Sequence, residues 1–166
     1  MIMTQPGNVI KSQIIMNILP EELRDKGTYV ILLKLAKDRS IKVGALGNCY
    51  FKQGYYTYIG SAFGPGGLYA RLNHHYAVTT KPRWHIDYLR RHTVITEIWY
   101  AGGDSRLECF WSNCIGLAAG SSQPVAGFGA SDCRCITHLY HFDRKPRTEV
   151  IKKLGINVSS VDLNIK

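Results

Sequence analysis

From Thr28 to Ala36 the chain reads Thr-Tyr-Val-Ile-Leu-Leu-Lys-Leu-Ala, a run of strand formers that is apolar at odd and even positions alike. Strand side chains alternate between two faces, so a run with no polar side needs cover on both. This predicts a central, doubly covered strand. After a turn at Lys37-Asp38-Arg39-Ser40, a second strand from Ile41 to Leu46 is expected to pair back. Beyond Gly47-Asn48, the segment Gly54 to Ser61 supplies a third strand dominated by tyrosines. The order is hairpin-like, so the expected fold is α+β within the broad α/β class: a small, mainly antiparallel central sheet flanked by helices.

The helices follow breakers. Phe63-Gly64-Pro65-Gly66-Gly67 interrupts the chain, and Leu68, Leu72 and Tyr76 then mark an i, i+4 stripe, with Arg71 and His75 on a neighbouring face. Trp84 to Arg91 predicts a short helix with Ile86 and Leu89 inward and Arg90 and Arg91 outward. Val94 to Tyr100 returns to strand. Asp104 or Ser105 can cap a helix running to about Ala119, expected to be the longest. Gly120 to Asp132 reads as a loop, Cys135 to Phe142 as a last edge strand, and Thr148 to Leu154 as a short helix. The domain reading is an N-terminal extension over residues 1–26, with one turn opened by Pro20-Glu21-Glu22, a folded unit over 27–142, and a basic C-terminal tail over 143–166.

At 166 residues, 45% of them hydrophobic, the chain suits one domain with a real core. Lys and Arg number 21 against 12 Asp and Glu, and the resulting charge of +9 attracts polyanions such as nucleic acid or acidic membranes without choosing between them. No stretch reaches the ~18 apolar residues of a membrane helix, and the run from Val9 to Leu19 is broken by Lys11, Gln13 and Asn17. The expectation is a soluble cytoplasmic protein with no membrane partner. Five cysteines, an odd number without a secretory signal, argue for reduced thiols or a metal site over a disulfide framework.

Tyr56, Tyr58 and Gly60 share one strand face, and the absent side chain at Gly60 is expected to leave room for a phosphate backbone. Half-buried tyrosines are equally at home in a strand that binds nothing. Arg71 follows a glycine-rich loop near a helix start, where guanidinium and backbone N–H groups can face an anion. Isolated, it would read as a solvated surface arginine. His75 can orient a phosphate or carry a proton, or decorate a helix beside His74. Glu108 closes Ser105-Arg106-Leu107-Glu108, which also matches a capping box whose carboxylate returns to its own helix.

Taken in sequence, GTYVILLKL, YYTYIGSA, GLYARLNHH and LECFWSNCIGL resemble successive elements of the GIY-YIG nuclease superfamily. WHIDYL and FGASDCRCITHLY resemble its small stand-alone, Uri-type branch, a domain also found fused to glycosylases of the endonuclease III kind. The resemblance spans about Gly27 to Phe142. It implies an antiparallel sheet flanked by helices and a metal-dependent endonuclease acting on nucleic acid, DNA first, in repair or processing. By the same resemblance Tyr29, Tyr58, Arg71 and His75 are catalytic, and Glu108 holds one Mg²⁺ or Mn²⁺. Thr28 stands for the isoleucine of GIY, Ser61 where several relatives carry lysine, and no asparagine matches that of some relatives. Gly60, Ser61, Lys81 and Arg83 are candidate nucleic-acid contacts.

A second group is Cys109, Asp132, Cys133, Cys135 and His138. Thiolates and imidazole suit Zn²⁺. Yet C-x-C-x₂-H lacks the paired CxxC of zinc ribbons, and buried reduced cysteines are the plainer reading. Asp132, His138, His85 and Asp87 form a further polar set that would supplement the site. The competing functions are a catalytically silent nucleic-acid-binding module and, third, an assembly protein contacting partners through its tails.

Overall fold

A computed structural model describes residues 21–155 and 157–163. The expected N-terminal extension lies outside these residues up to position 20; the turn at its end is a single 3₁₀ turn, Glu21–Arg24, with Leu23 fully buried. The strands are β1 (Gly27–Leu35), β2 (Arg39–Lys42), β3 (Asn48–Phe51), β4 (Gly54–Ala62), β5 (Thr93–Gly102), β6 (Leu139–Phe142) and β7 (Ser159–Asp162). The helices are α1 (Gly67–Ala77), α2 (His85–Arg90), α3 (Glu108–Gly116) and α4 (Thr148–Leu154). A five-stranded sheet in the order β6-β4-β1-β5-β7, every pair antiparallel, forms the centre. The expected α+β class, an antiparallel sheet flanked by helices, is what the chain adopts.

β1 lies in the middle, buried at every position but Lys34. Tyr29, Ile31, Leu33 and Leu35 pack with Leu68 and Leu72 of α1 and Ile86 and Leu89 of α2. Val30 and Leu32 pack on the other face with Trp99, with Trp111 and Ile115 of α3, and with Val150 and Leu154 of α4. The run without a polar side is thus the strand that separates two cores.

Five readings change. Ile41 to Leu46 does not pair back on β1, whose two edges are taken by β4 and β5; Ile41 sits in β2, which pairs only with β3, and Gly44–Leu46 form a 3₁₀ turn. The helix expected from residue 104 or 105 starts at Glu108, because the Leu107 N–H donates to Thr28 Oγ1 of β1, 3.2 Å away, and it ends at Gly116, shorter than the eleven residues of α1. The edge strand begins at Leu139 rather than Cys135, since the preceding loop turns its backbone to Phe128 and Gly127.

Arg90 points inward. Its guanidinium donates to the carbonyls of His75 and Thr93 at 2.8 and 2.6 Å, satisfying an orphan carbonyl in the last turn of α1, and burial lowers its pKa to about 10. The segment after Phe142, expected as a tail, contributes α4 and β7. Its Arg147 donates to the fully buried Glu97 at 3.2 Å, with Lys145 Nζ 3.3 Å from the other oxygen, so two of its cations neutralise a core carboxylate. Among the described residues no helix is long and apolar enough to cross a membrane.

Candidate functional site

Tyr29 and Gly60 are direct partners across β1 and β4. The phenol lies across Gly60 so closely that a Cβ there would overlap its oxygen and Cζ. Gly60 therefore makes room for Tyr29, not for a phosphate backbone as expected. Tyr29 Oη bonds to His75 Nε2 at 2.7 Å, deep in the protein. Burial first, then the neighbouring Tyr58, pushes the Tyr29 pKa well above the usual phenol value against the pull of Arg71. Burial likewise lowers His75 to about 3, helped by His74, Arg71 and Arg90 and opposed only by Asp87. At neutral pH the pair is a phenol donating to a neutral imidazole. This assigns the ring proton to Nδ1, which faces Asp87 Oδ1 at 4.0 Å and makes no hydrogen bond.

Asp87 is itself fixed. Burial raises its pKa, but the N–H groups of Arg83 and Trp84, at 2.9 and 3.1 Å, and His74 Nε2, at 3.0 Å, outweigh it and keep the carboxylate charged. The arrangement carries a pH signature. Because His75 binds its proton far less readily folded than unfolded, its contribution is present above about pH 6.5 and is lost as pH falls toward 3, at roughly 1.4 kcal/mol per pH unit. Urea unfolding between pH 6 and pH 4 should show that slope in excess over His75→Gln. Parallel curves for the two proteins would show that His75 is not held neutral.

Tyr58 shares the Tyr29 face, its ring centroid 6.0 Å from that of His75. Gly129, at φ 70°, lies against that ring, and a Cβ there would meet it at 2.8 Å. Burial and then Glu108 raise the Tyr58 pKa against Arg71. Its hydroxyl makes no hydrogen bond among the described residues. Arg71 stacks over the Trp84 ring at 4.2 Å, with Arg83 at 5.7 Å, and borders a pocket of about 190 Å³ lined also by Gly64, Pro65, Gly67 and His74. That volume accommodates a phosphate group. Lys81 is exposed on the following loop and does not line the pocket.

Glu108 arrives from α3. It is the first helical residue, not the fourth of a capping box, and its carboxylate turns outward to the sheet: Ser61 Oγ donates to Oε2 at 2.8 Å, and His138 Nδ1 lies 2.9 Å from Oε1, off the line of a good hydrogen bond. Burial raises its pKa, but His138, Ser61 and Arg71 together bring it below the usual carboxylate value. Arg71 and Glu108 lie near enough to both Tyr29 and Tyr58 to act on the ionisation of those phenols. Five residues from β1, β4, α1 and α3 are thereby gathered at one end of the sheet. Ser61 is thus a partner of Glu108.

The other polar set does not assemble as expected. His85 Nδ1 accepts the Gly129 N–H at 3.0 Å, Asp87 belongs with His74 and His75, and Asp132 is exposed, so the four do not meet. Cys109, Cys133, Cys135 and His138 do meet, with their ligand atoms within 4.8 Å of one another. None of these three thiols is buried, contrary to the plainer reading; Cys49 is the buried cysteine. Trp84, the ring beneath Arg71, had no role in the sequence reading. The signal present was local: Asp87 three residues after Trp84 is a helix-start pattern, and its carboxylate accepts the Trp84 backbone N–H.

These features define a small α+β domain with a tyrosine–histidine–arginine–glutamate cluster at one end of an antiparallel sheet. The chain belongs to the family described as Domain of unknown function DUF123, whose model matches residues 28–158 and so runs from β1 through α4, short of β7. No curated protein and no solved structure matches the chain.

Proposed function

We propose that this domain is a metal-dependent endonuclease of the GIY-YIG kind, in the Uri-type branch, hydrolysing phosphodiester bonds in nucleic acid, DNA first, within the cytoplasm. One observation carries the reading. The residues picked out by the resemblance, Tyr29, Tyr58, Arg71, His75 and Glu108, are scattered over 80 positions yet gather at one end of the sheet, with Arg71 bordering a phosphate-sized pocket. Glu108 fits Mg²⁺ or Mn²⁺: it is ionised, a quarter exposed, and each oxygen has only one protein partner, leaving lone pairs for a hard cation. Bound there, the ion would polarise the scissile phosphate and stabilise the departing oxygen.

The protein's own groups do the rest. Arg71, held flat by Trp84, binds the phosphate oxygens and offsets the charge that grows as the water oxygen bonds to phosphorus and the P–O bond to the leaving group breaks. Tyr29 is committed to His75 Nε2, and with that imidazole held neutral down to about pH 3 the pair positions the site and does not serve as its base. Tyr58, whose hydroxyl is uncommitted, takes the water's proton as a phenolate that Arg71 and the bound cation would favour.

The test is a panel of end-labelled duplex, single-stranded, flap and RNA substrates incubated with Mg²⁺ or Mn²⁺. We expect divalent-dependent cleavage of at least one substrate, slowed about a hundredfold in Tyr58→Phe with binding and folding unchanged. Salt-sensitive binding of every substrate with cleavage of none would assign the fold to the silent binding module instead.

A further inference from the structure

Three of the five cysteines collect around one histidine, beside Glu108 but with chemistry of their own. Cys109 is the second residue of α3, whereas Cys133, Cys135 and His138 lie in the loop that leads into β6. A loop without regular structure has thus delivered two thiols and an imidazole to a third thiol 24 positions upstream of it. Core packing does not account for this, because the thiols are partly or fully exposed and only His138 is buried.

We propose that Cys109, Cys133, Cys135 and His138 form a closed, structural Zn²⁺ site. The donor set is soft and selects zinc over magnesium or calcium. A tetrahedron with Zn–S bonds of about 2.3 Å has S–S edges of ~3.8 Å and S–N edges of roughly 3.5 Å. Here all four donor atoms fall within 4.8 Å of one another, and His138 Nε2 stands 3.4 Å from Cys133 Sγ. A thiol–imidazole hydrogen bond would explain that one distance but would leave Cys109 and Cys135 crowded beside it without a use.

The histidine supplies the second argument. With Nε2 on the metal, Nδ1 carries the ring proton 2.9 Å from Glu108 Oε1, so a small turn of the ring completes the imidazole–carboxylate pair that orients zinc-bound histidines. Binding would release the three thiol protons to solvent and leave no open position, so the ion does no chemistry itself. Its work is mechanical: it ties the first turn of α3 to the loop before β6 and, through His138, sets the carboxylate of Glu108. The proposal stands whether or not the domain cleaves nucleic acid.

The full chain, purified without chelator from zinc-supplemented cells, should carry about one zinc ion by mass spectrometry, retained in Cys114→Ser and lost in Cys109→Ser and Cys135→Ser. Should those variants fail to fold, the wild-type protein decides the matter alone. Exchange with Co²⁺ should give thiolate-to-cobalt charge transfer in the near ultraviolet and intense red-region bands of a tetrahedral ion, and chelation should lower the thermal midpoint by several degrees. Zinc far below one per chain together with weak, octahedral cobalt bands would overturn the site. So would recovery of Cys109 in a disulfide with Cys133 or Cys135 from protein trapped at lysis.

Discussion

Gly60→Ala is expected to cost about 3–5 kcal/mol, a large part of the stability of a domain this size. The added methyl would occupy the space of the Tyr29 phenol, whose oxygen and Cζ are its nearest neighbours. β1 and β4 are paired along their whole length here, so neither backbone can easily withdraw. The ring must swing away, and the 2.7 Å bond to His75 breaks, leaving a buried imidazole nitrogen without its donor. Overpacking accounts for about 1–3 kcal/mol and the orphaned nitrogen for about 2 kcal/mol. The cause is separable by a double-mutant cycle. Tyr29→Phe removes the oxygen that clashes first, so in that background Gly60→Ala should cost at least ~1 kcal/mol less. Urea midpoints measure all four proteins, and full additivity would place the phenol somewhere other than over Gly60.

That position shows where sequence reading reaches and where it stops. β1 was legible because its apolar run is a local pattern with one solution, and β4 because tyrosines at alternate positions mark a strand face. The meaning of Gly60 was not, since it depends on which residue of β1 stands opposite. Ser105 to Glu108 matched a capping box in isolation; only the fold reveals that Thr28, 79 positions away, takes the cap and frees the glutamate for Ser61 and His138. Arg90 was misplaced for a related reason. Charged residues usually face water, and its inward turn is explained by an orphan carbonyl at the end of another helix. Cys109, Cys133, Cys135 and His138 were named from their ligand types, but no common spacing tells that Cys109 converges with the loop, or that Asp132 does not. In contrast Tyr29, Tyr58, Arg71, His75 and Glu108 were named from short motifs and are found together, which is why the candidate site was more legible than the small β2–β3 sheet.

The second large effect belongs to Glu108→Gln. The substitution keeps the side-chain shape, and the amide oxygen can still accept the Ser61 Oγ hydrogen bond, so the helix start and the zinc cluster should persist. What goes is the negative charge, held by Ser61, His138 and Arg71 despite burial. A neutral amide is a poor ligand for Mg²⁺ or Mn²⁺, and losing the ion removes stabilisation that no other carboxylate of the site replaces. Asp87, the other buried acid nearby, already receives two backbone N–H groups and His74. The expected outcome is cleavage reduced at least about a hundredfold, with nucleic-acid affinity in the absence of divalent ions unchanged.

Single-turnover cleavage of an end-labelled oligonucleotide, followed against Mn²⁺ concentration for wild type and Glu108→Gln at matched zinc content, tests the proposed function most directly. The account predicts a wild-type rate that rises with Mn²⁺ and vanishes on its removal, and a variant at least about a hundredfold slower at every concentration. Equal rates in the two proteins, or no wild-type cleavage at any Mn²⁺ concentration, would contradict it.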